Sequence, residues 1–421
     1  MRKMLSVLML MFFLLSCFAF AEQVNLKFLH RWTQEPDKSF FDGVARAYEK
    51  EHPNVKIDVQ AVANDAYKEK IKVMLGTEDA PDVFFTWPGE FTNRFIRAGR
   101  VLDITNYMLN DGSLFDYVGS QVIPFLYNGA LYGLPYRVDG KIFVYNKEIF
   151  KKAGIDNPPA TFDEFLVDLD KLSKLGIKPI AFGNSEPWAV SHYIAAINQK
   201  SVPEEIWEKD LDPAFGMWTD PGYVEALRIY SELVPYFNDY SNALKHDQTK
   251  VAFYQGLNAM AYIEIVEIPT IATDAPEGFF DKIGVFPFPA TNGPGDQHYL
   301  VGYPEGFVVS ANSKHPEEAT DFLKFLTGKQ TGISELKTFG YFNGIKNMIS
   351  PEEVQPIVYE TAKLVMDSDK MVNWLDSSLH AKIWAVYSVE LQKLTDQVTT
   401  PEKAMEAVIE AAKKVREEFN Q

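Results

Sequence analysis

Cysteine is almost absent: Cys17 is the only one in 421 residues, and it lies in an apolar N-terminal run. If that run is removed, disulfides, thiol nucleophiles and cysteine-ligated metal sites are all excluded. A basic excess is also missing. The 41 Lys and Arg stand against 58 Asp and Glu, for a net charge of −17. This argues against a nucleic-acid partner, whose phosphates need a basic surface. It also disfavours docking to anionic lipid, and it fits a soluble monomer. The chain lacks HExxH, GxSxG and P-loop patterns. Its seven His residues are scattered, none at metal-ligand spacing, and His192 reads as structural. No catalytic group, metal or cofactor is expected. Heptads, low-complexity tracts and internal repeats are absent too.

What is present begins with a leader. Arg2 and Lys3 form a basic head, Met4 to Phe20 is apolar, and Ala19-Phe20-Ala21 is a small-x-small cleavage pattern. The run is shorter than the roughly 20 residues of a comfortable transmembrane helix. A signal peptide over 1–21 is expected, and a periplasmic or extracellular protein after it. Leu14 to Cys17 resembles a lipoprotein box, but Leu15 fits it poorly and Phe18 to Ala21 stays apolar. Lipid anchoring through Cys17 is therefore the lesser reading. A chain without disulfides relies on a large core, and about 400 residues suffice for one.

Strand and helix signals then alternate. Val24 to Leu29 alternates at period two, and Phe40, Phe41, Val44 and Tyr48 fall at helical spacing before Pro53. Val55, Ile57 and Val59 form a second strand, Tyr67 to Leu75 a helix, and Asp82 to Phe85 a buried strand. This β-α-β-α-β order implies a parallel sheet covered by helices. Beyond Gly133 the pattern resumes. A strand spans Lys141 to Asn146, and Thr161 with Glu164 makes a capping box. Further strands are expected at Pro179 to Phe182, Ala259 to Val266, Ile283 to Phe286 and Val308-Val309. Helices are expected at Tyr223 to Leu233, Thr249 to Gln255, Pro316 to Leu326 and Pro401 to Phe419. The length favours two α/β lobes. The most turn-prone crossings lie near Tyr132 to Tyr136 and Phe288 to Gly295.

Several phrases are specific. They are Leu131 to Arg137 (LYGLPYR), Ile142 to Phe150 (IFVYNKEIF), Ala153 to Ile155 and Pro158 to Phe165 (PPATFDEF). Ala80 to Phe85, Gly99 to Asp103, and Pro316 to Ala319 with Phe325-Leu326 extend the set. Across nearly the whole mature chain it resembles the extracellular solute-binding proteins of carbohydrate-importing ABC transporters, the maltose-binding-protein-like family. The resemblance implies an α/β, two-lobed periplasmic-binding-protein fold of class II type. It places the ligand in the interlobe cleft and implies two or three crossovers with hinged closure. The N-terminal lobe is expected over 22–133 with roughly 300–345, and the C-terminal lobe over 134–299 with 346–421.

A sugar offers C–H faces to aromatic rings and a hydroxyl rim to charged groups. Open α/β sheets bind ligands beyond their strand C-termini. Arg31 and Trp32 follow the first strand, and Trp87 follows the strand ending at Phe85. The resemblance places a ligand carboxylate at Asp65, which serves equally as a helix N-cap. Arg137 stands at the first crossover, as a ligand donor or in an interlobe salt bridge. Trp188, in Glu186-Pro187-Trp188, matches a stacking aromatic of the family, with a core Trp as the alternative. After Gly256 to Met260 the family's Trp is missing, and Glu264 and Glu267 follow instead. Tyr303 and Glu305 replace a glycine-rich phrase and either reach the cleft or form a plain turn. Trp374 and Asp376 stand in a loop between helices, where relatives send further contacts.

The leading expectation is a non-enzymatic receptor for a carbohydrate or polyol that delivers it to ABC permease subunits. A secreted lyase or glycosidase, or a receptor for a peptide or organic anion, stays open. The mature chain is expected to begin at Glu22. Mass spectrometry of the secreted protein checks this, and a lipidated species starting at Cys17 would overturn it.

Overall fold

Among the described residues, thirteen strands run β1 Val24–His30, β2 Val55–Ala61, β3 Val83–Thr86, β4 Leu126–Tyr127, β5 Ala130–Leu131, β6 Gly133–Arg137, β7 Lys141–Asn146, β8 Ile180–Ala181, β9 Met260–Glu264, β10 Ile283–Phe286, β11 Leu300–Val301, β12 Glu305–Val309 and β13 Met371–Val372. They come from a computed structural model that describes residues 23–348, 352, 354–366 and 370–420. The expected leader, with Cys17, lies outside the described residues.

Two main sheets form. The first has the order β2-β1-β3-β12-β6, and the second β10-β7-β9-β8. In the first, β2 and β3 flank β1 in parallel, as the alternating pattern implied, while β12 enters antiparallel between β3 and β6. The chain therefore returns to this sheet after building the second one. β6 stays in the first sheet through Arg137, so the passage falls at 138–140 and not at Leu134. The reason is local. Gly306 lets β12 lie close to β6, where an added Cβ would stand 2.3 Å from the Leu134 carbonyl oxygen.

An aromatic cluster fills the first core. Phe307 lies 5.5 Å from Phe28, 5.9 Å from Phe41, 5.8 Å from Phe85 and 5.2 Å from Tyr136, ring to ring. In the second sheet Phe143 stacks on Phe286 at 5.0 Å. The capping box at Thr161 opens the helix Phe162–Ser173 as expected.

Several helices carry little sequence signal. The helix Trp188–Ser201 is buried on every side from Ala189 onward, so it shows no polar stripe. Trp188 is its first residue. Helices Ala381–Thr395 and Pro401–Phe419 pack on each other, the first also on Trp188–Ser201 and the second on Pro221–Leu233 of the second lobe. The short helix Leu375–Ser378 touches both Trp188–Ser201 and Glu90–Arg97, so it lies between the lobes. Among the described residues, no helix is long and apolar enough to cross a membrane.

Phe307 is wholly buried at the centre of its cluster. Phe307→Ala is expected to cost about 3–5 kcal/mol, read by chemical denaturation. A loss below about 1 kcal/mol would show that the cluster does not hold the first lobe.

Candidate functional site

Four chain segments converge at one edge of the first sheet. β1 ends into Arg31, β3 ends into Trp87, β6 ends at Arg137, and β12, running the other way, starts there with Glu305. Glu305 is the focus. Arg31 donates through Nη2 to both carboxylate oxygens, at 2.7 and 2.9 Å. Arg137 Nε donates at 2.6 Å and Trp87 Nε1 at 3.0 Å. Burial pushes the Glu305 carboxyl pKa up, but the guanidiniums of Arg137 and Arg31 outweigh it and hold the group at about 2.

Trp32 lies beneath these arginines. It stacks on Phe41 at 4.8 Å and meets Phe85 and Tyr136 edge-on. The Arg31 and Arg137 guanidiniums sit 4.7 and 5.4 Å from its ring. It is the floor under the arginines and no part of the cavity wall.

A second wall comes from the other lobe. Trp188 and His192, one helical turn apart, stand 5.4 Å ring to ring, and His192 lies 4.1 Å from Trp374. Glu264 ends β9 opposite Lys141 of β7. Lys141 Nζ and His192 Nδ1 each lie 3.7 Å from Glu264 Oε1. Burial pulls the His192 pKa well down, and the Lys141 charge adds to this. In the crossover, Asp139 Oδ1 accepts from Gly140 N at 2.8 Å. Burial pushes the Asp139 carboxyl well up, and Glu264 adds to it. Behind the wall Glu267 accepts from His246, Lys250 and the Glu264 backbone N–H, fixing the turn that follows β9.

Asp376 links the two walls. Its oxygens accept from Ser191 Oγ at 3.1 Å and from Lys68 Nζ at 3.3 Å. Lys68 belongs to the first lobe's helix Asn64–Met74 and lies 5.0 Å from the Trp87 ring. Asn373 Nδ2 also donates to the Pro88 carbonyl at 2.9 Å.

Between the walls lies a cavity of about 90 Å³. It brings together Arg31, Trp87, Trp188, Glu264, Glu305, Trp374 and Asp376 of the expected residues. It adds Asn64, Lys68, Asp139, His192 and Ser377. Arg137 stands behind Glu305, buried, and its salt bridge is within one sheet. Tyr303 does not reach this cavity. It lines a separate crevice with Glu90, Arg97 and Phe419. Strand geometry begins only at Glu305, so no strand alternation carries Tyr303 to the same side. Asp65 is in the first turn of Asn64–Met74, and its side chain lies outside the described parts.

Two of the added residues had a latent signal. Lys68 follows Asn64, and His192 follows Trp188, at the i,i+4 spacing that shares a helix face. Reading His192 as structural left out its place in the wall. Asp139 carried no pattern.

The model of the bacterial extracellular solute-binding proteins matches residues 32–333. The chain belongs to that family. An uncharacterized ABC transporter extracellular-binding protein of Pyrococcus horikoshii is 26% identical over 341 residues, covering 79% of this chain and 73% of its own. The diacetylchitobiose binding protein DasA of Streptomyces coelicolor is 25% identical over 288 residues, covering 66% of this chain and 63% of its own. A solved structure tied to xylan utilization by Caldanaerobius polysaccharolyticus has a TM-score of 0.83 at 26% identity. It covers 92% of this chain and 99% of that one. The two-lobed fold expected from the sequence is that of these receptors.

Glu305→Gln removes one partner of a buried ion cluster, which costs about 3–5 kcal/mol at neutral pH. The native carboxyl, held at about 2, stabilises the fold fully above its unfolded value near 4.5. That contribution fades as pH falls toward 2. Denaturation of native and variant protein across this range should therefore converge at low pH. Equal stability at pH 7 would refute the role of the cluster.

Proposed function

We propose that this chain is a receptor that captures a carbohydrate or polyol between its lobes and delivers it to ABC permease subunits. The observation that carries this reading is one cavity with two kinds of surface. Trp188, His192 and Trp374 present adjoining rings, and Arg31, Lys68, Glu305 and Asp376 present fixed donors and acceptors. Rings suit sugar C–H faces, and paired charges suit hydroxyls. Trp188 is only half-buried, whereas Trp218 is fully buried, as a core Trp would be. The relatives named for diacetylchitobiose binding and xylan utilization point to the same ligand class.

A receptor is favoured over a lyase or glycosidase. Glu305 is neutralised by two arginines and Asp376 is tied to Lys68, so neither is free to move a proton. The division into lobes that fits the sheets is 22–137 with roughly 300–345, and 141–299 with 346–421. The mature protein acts as a monomer outside the cytoplasmic membrane.

A thermal-shift panel of neutral sugars, uronates, polyols and short oligosaccharides should raise the melting temperature for one subset. That ligand should be returned unchanged at stoichiometric amounts, and turnover would establish the enzyme instead. Trp188→Ala should cost on the order of 2 kcal/mol of binding, or about thirty-fold in affinity. Calorimetric titration beside thermal melting checks this. Normal affinity with stability lower by about 3–5 kcal/mol would make Trp188 a packing residue only. Small-angle scattering should show a smaller radius of gyration with ligand, and no change at saturation would count against closure.

A further inference from the structure

The cavity between the walls, about 90 Å³, is smaller than the roughly 300–1,000 Å³ of common small-molecule sites. A larger groove of about 790 Å³ lies between the same two lobes. Its place follows from the two loops that build the cavity. β1 exits through Arg31, which lines the cavity, and the chain goes on to Glu35 and Asp37, which line the groove. On the other lobe β9 ends at Glu264 in the cavity wall, and the chain goes on to Pro269 and Asp274 in the groove wall. Each lobe thus sends one continuous segment along both spaces, so the groove continues the cleft. The lobes also meet along it, where a Cβ added to Gly340 would stand 2.8 Å from Cβ of Pro269.

A line of flat groups joins the two spaces. Arg137 donates to Glu305 of the cavity wall, and its guanidinium lies 5.0 Å from the Tyr341 ring. Tyr341 stacks on Phe339 at 5.2 Å, with 19° between the ring planes. Both rings line the groove, where Phe339 is only half-buried, and Phe280 adds a ring from the second lobe.

We propose that the groove receives the further rings of a neutral oligosaccharide whose end ring occupies the cavity. The inference rests on reading the cleft as a sugar site, and it narrows that reading to a chain of uncharged rings. Phe339 and Phe280 offer apolar surface to sugar C–H patches beyond the reach of Trp188 and Trp374. The charge of the groove has one sign. Glu35, Asp37 and Asp274 line it, and no Lys, Arg or His stands among its described lining residues. Carboxylates accept strongly from sugar hydroxyls. They repel a uronate, and no cation in the groove offsets that repulsion. In the cavity Arg31 and Lys68 are already paired with Glu305 and Asp376. A uronate therefore meets no unpaired Lys or Arg lining either space.

Calorimetric titration with sugars of one to four rings tests this. The probes are xylose, glucose and N-acetylglucosamine with their linear oligomers, and galacturonate with its oligomers. In a neutral series that binds, affinity should rise at least about tenfold from one ring to three. The galacturonate trimer should bind at least about tenfold more weakly than the neutral trimer. Phe339→Ala should lower affinity for the neutral trimer at least about tenfold more than for the shortest sugar that binds. Trp188→Ala should instead weaken both alike. Ala272 is exposed in the groove wall, so Ala272→Trp should fill the groove and act as Phe339→Ala does. It decides the matter if Phe339→Ala does not fold. A single ring that binds as tightly as its trimer overturns the groove proposal and leaves the receptor reading standing. So does a neutral trimer whose affinity survives both groove substitutions, or a galacturonate trimer that binds tighter than the neutral ones. If no sugar of any length binds, the receptor reading falls and the groove proposal with it.

Discussion

A carboxylate taken out of water costs several kcal/mol unless every lone pair finds a strong partner, and Glu305 meets that demand with partners drawn from the whole first sheet. Arg31 follows β1, Trp87 follows β3 and Arg137 ends β6, while Glu305 itself opens β12. The chain therefore leaves the first sheet, builds the second lobe and returns to place one acidic side chain among groups already waiting for it. Trp32 and the cluster of Phe41, Phe85 and Tyr136 hold the arginines from below. The wall is rigid because its polar groups are nearly all spent on one another.

The opposite wall is built on another principle. Lys141, His192 and Glu264 approach one another without closing their hydrogen bonds. Asp139, in the crossover beside them, keeps one oxygen on a backbone N–H. Unspent donors and acceptors of this kind are expensive in a folded core, but they are what a site keeps for a ligand. A satisfied wall that fixes geometry therefore faces an unsatisfied wall that gains from occupancy.

How much of this was legible in the residues follows from what each signal measures. β7, β10 and the helix Pro401–Phe419 had their full spans marked, because alternation, Pro and capping residues bound them locally. The helix Trp188–Ser201 has no polar face to set a period, so the residues alone do not mark it. Strand ends located Arg31 and Trp87, but a strand end does not say which of two neighbours turns inward. Trp32 faces the core where Arg31 faces the cavity. Of the two readings open for Tyr303 and Glu305, Tyr303 precedes the strand and stays out of the cavity, while Glu305 opens the strand and lines it. His192 was passed over because a lone histidine carries no pattern until the helix beneath it is known. Asp139 owes its place to tertiary approach alone.

The passages between the lobes also supply the site. The first, at 138–140, contributes Asp139, and the approach to β12 contributes Glu305. The segment after β13 contributes Trp374 and Asp376. Asp376 in turn holds Lys68 of one lobe and Ser191 of the other. Any rotation of one lobe against the other must pass through these segments, so it must also move residues that line the cavity. The converse holds by the same geometry. A ligand that bridges Trp188 and Arg31 stabilises the lobe angle at which both can reach it, and only in proportion to its preference for that angle. Affinity and lobe position are thus two readings of one free energy, because the hinge and the site share the same residues.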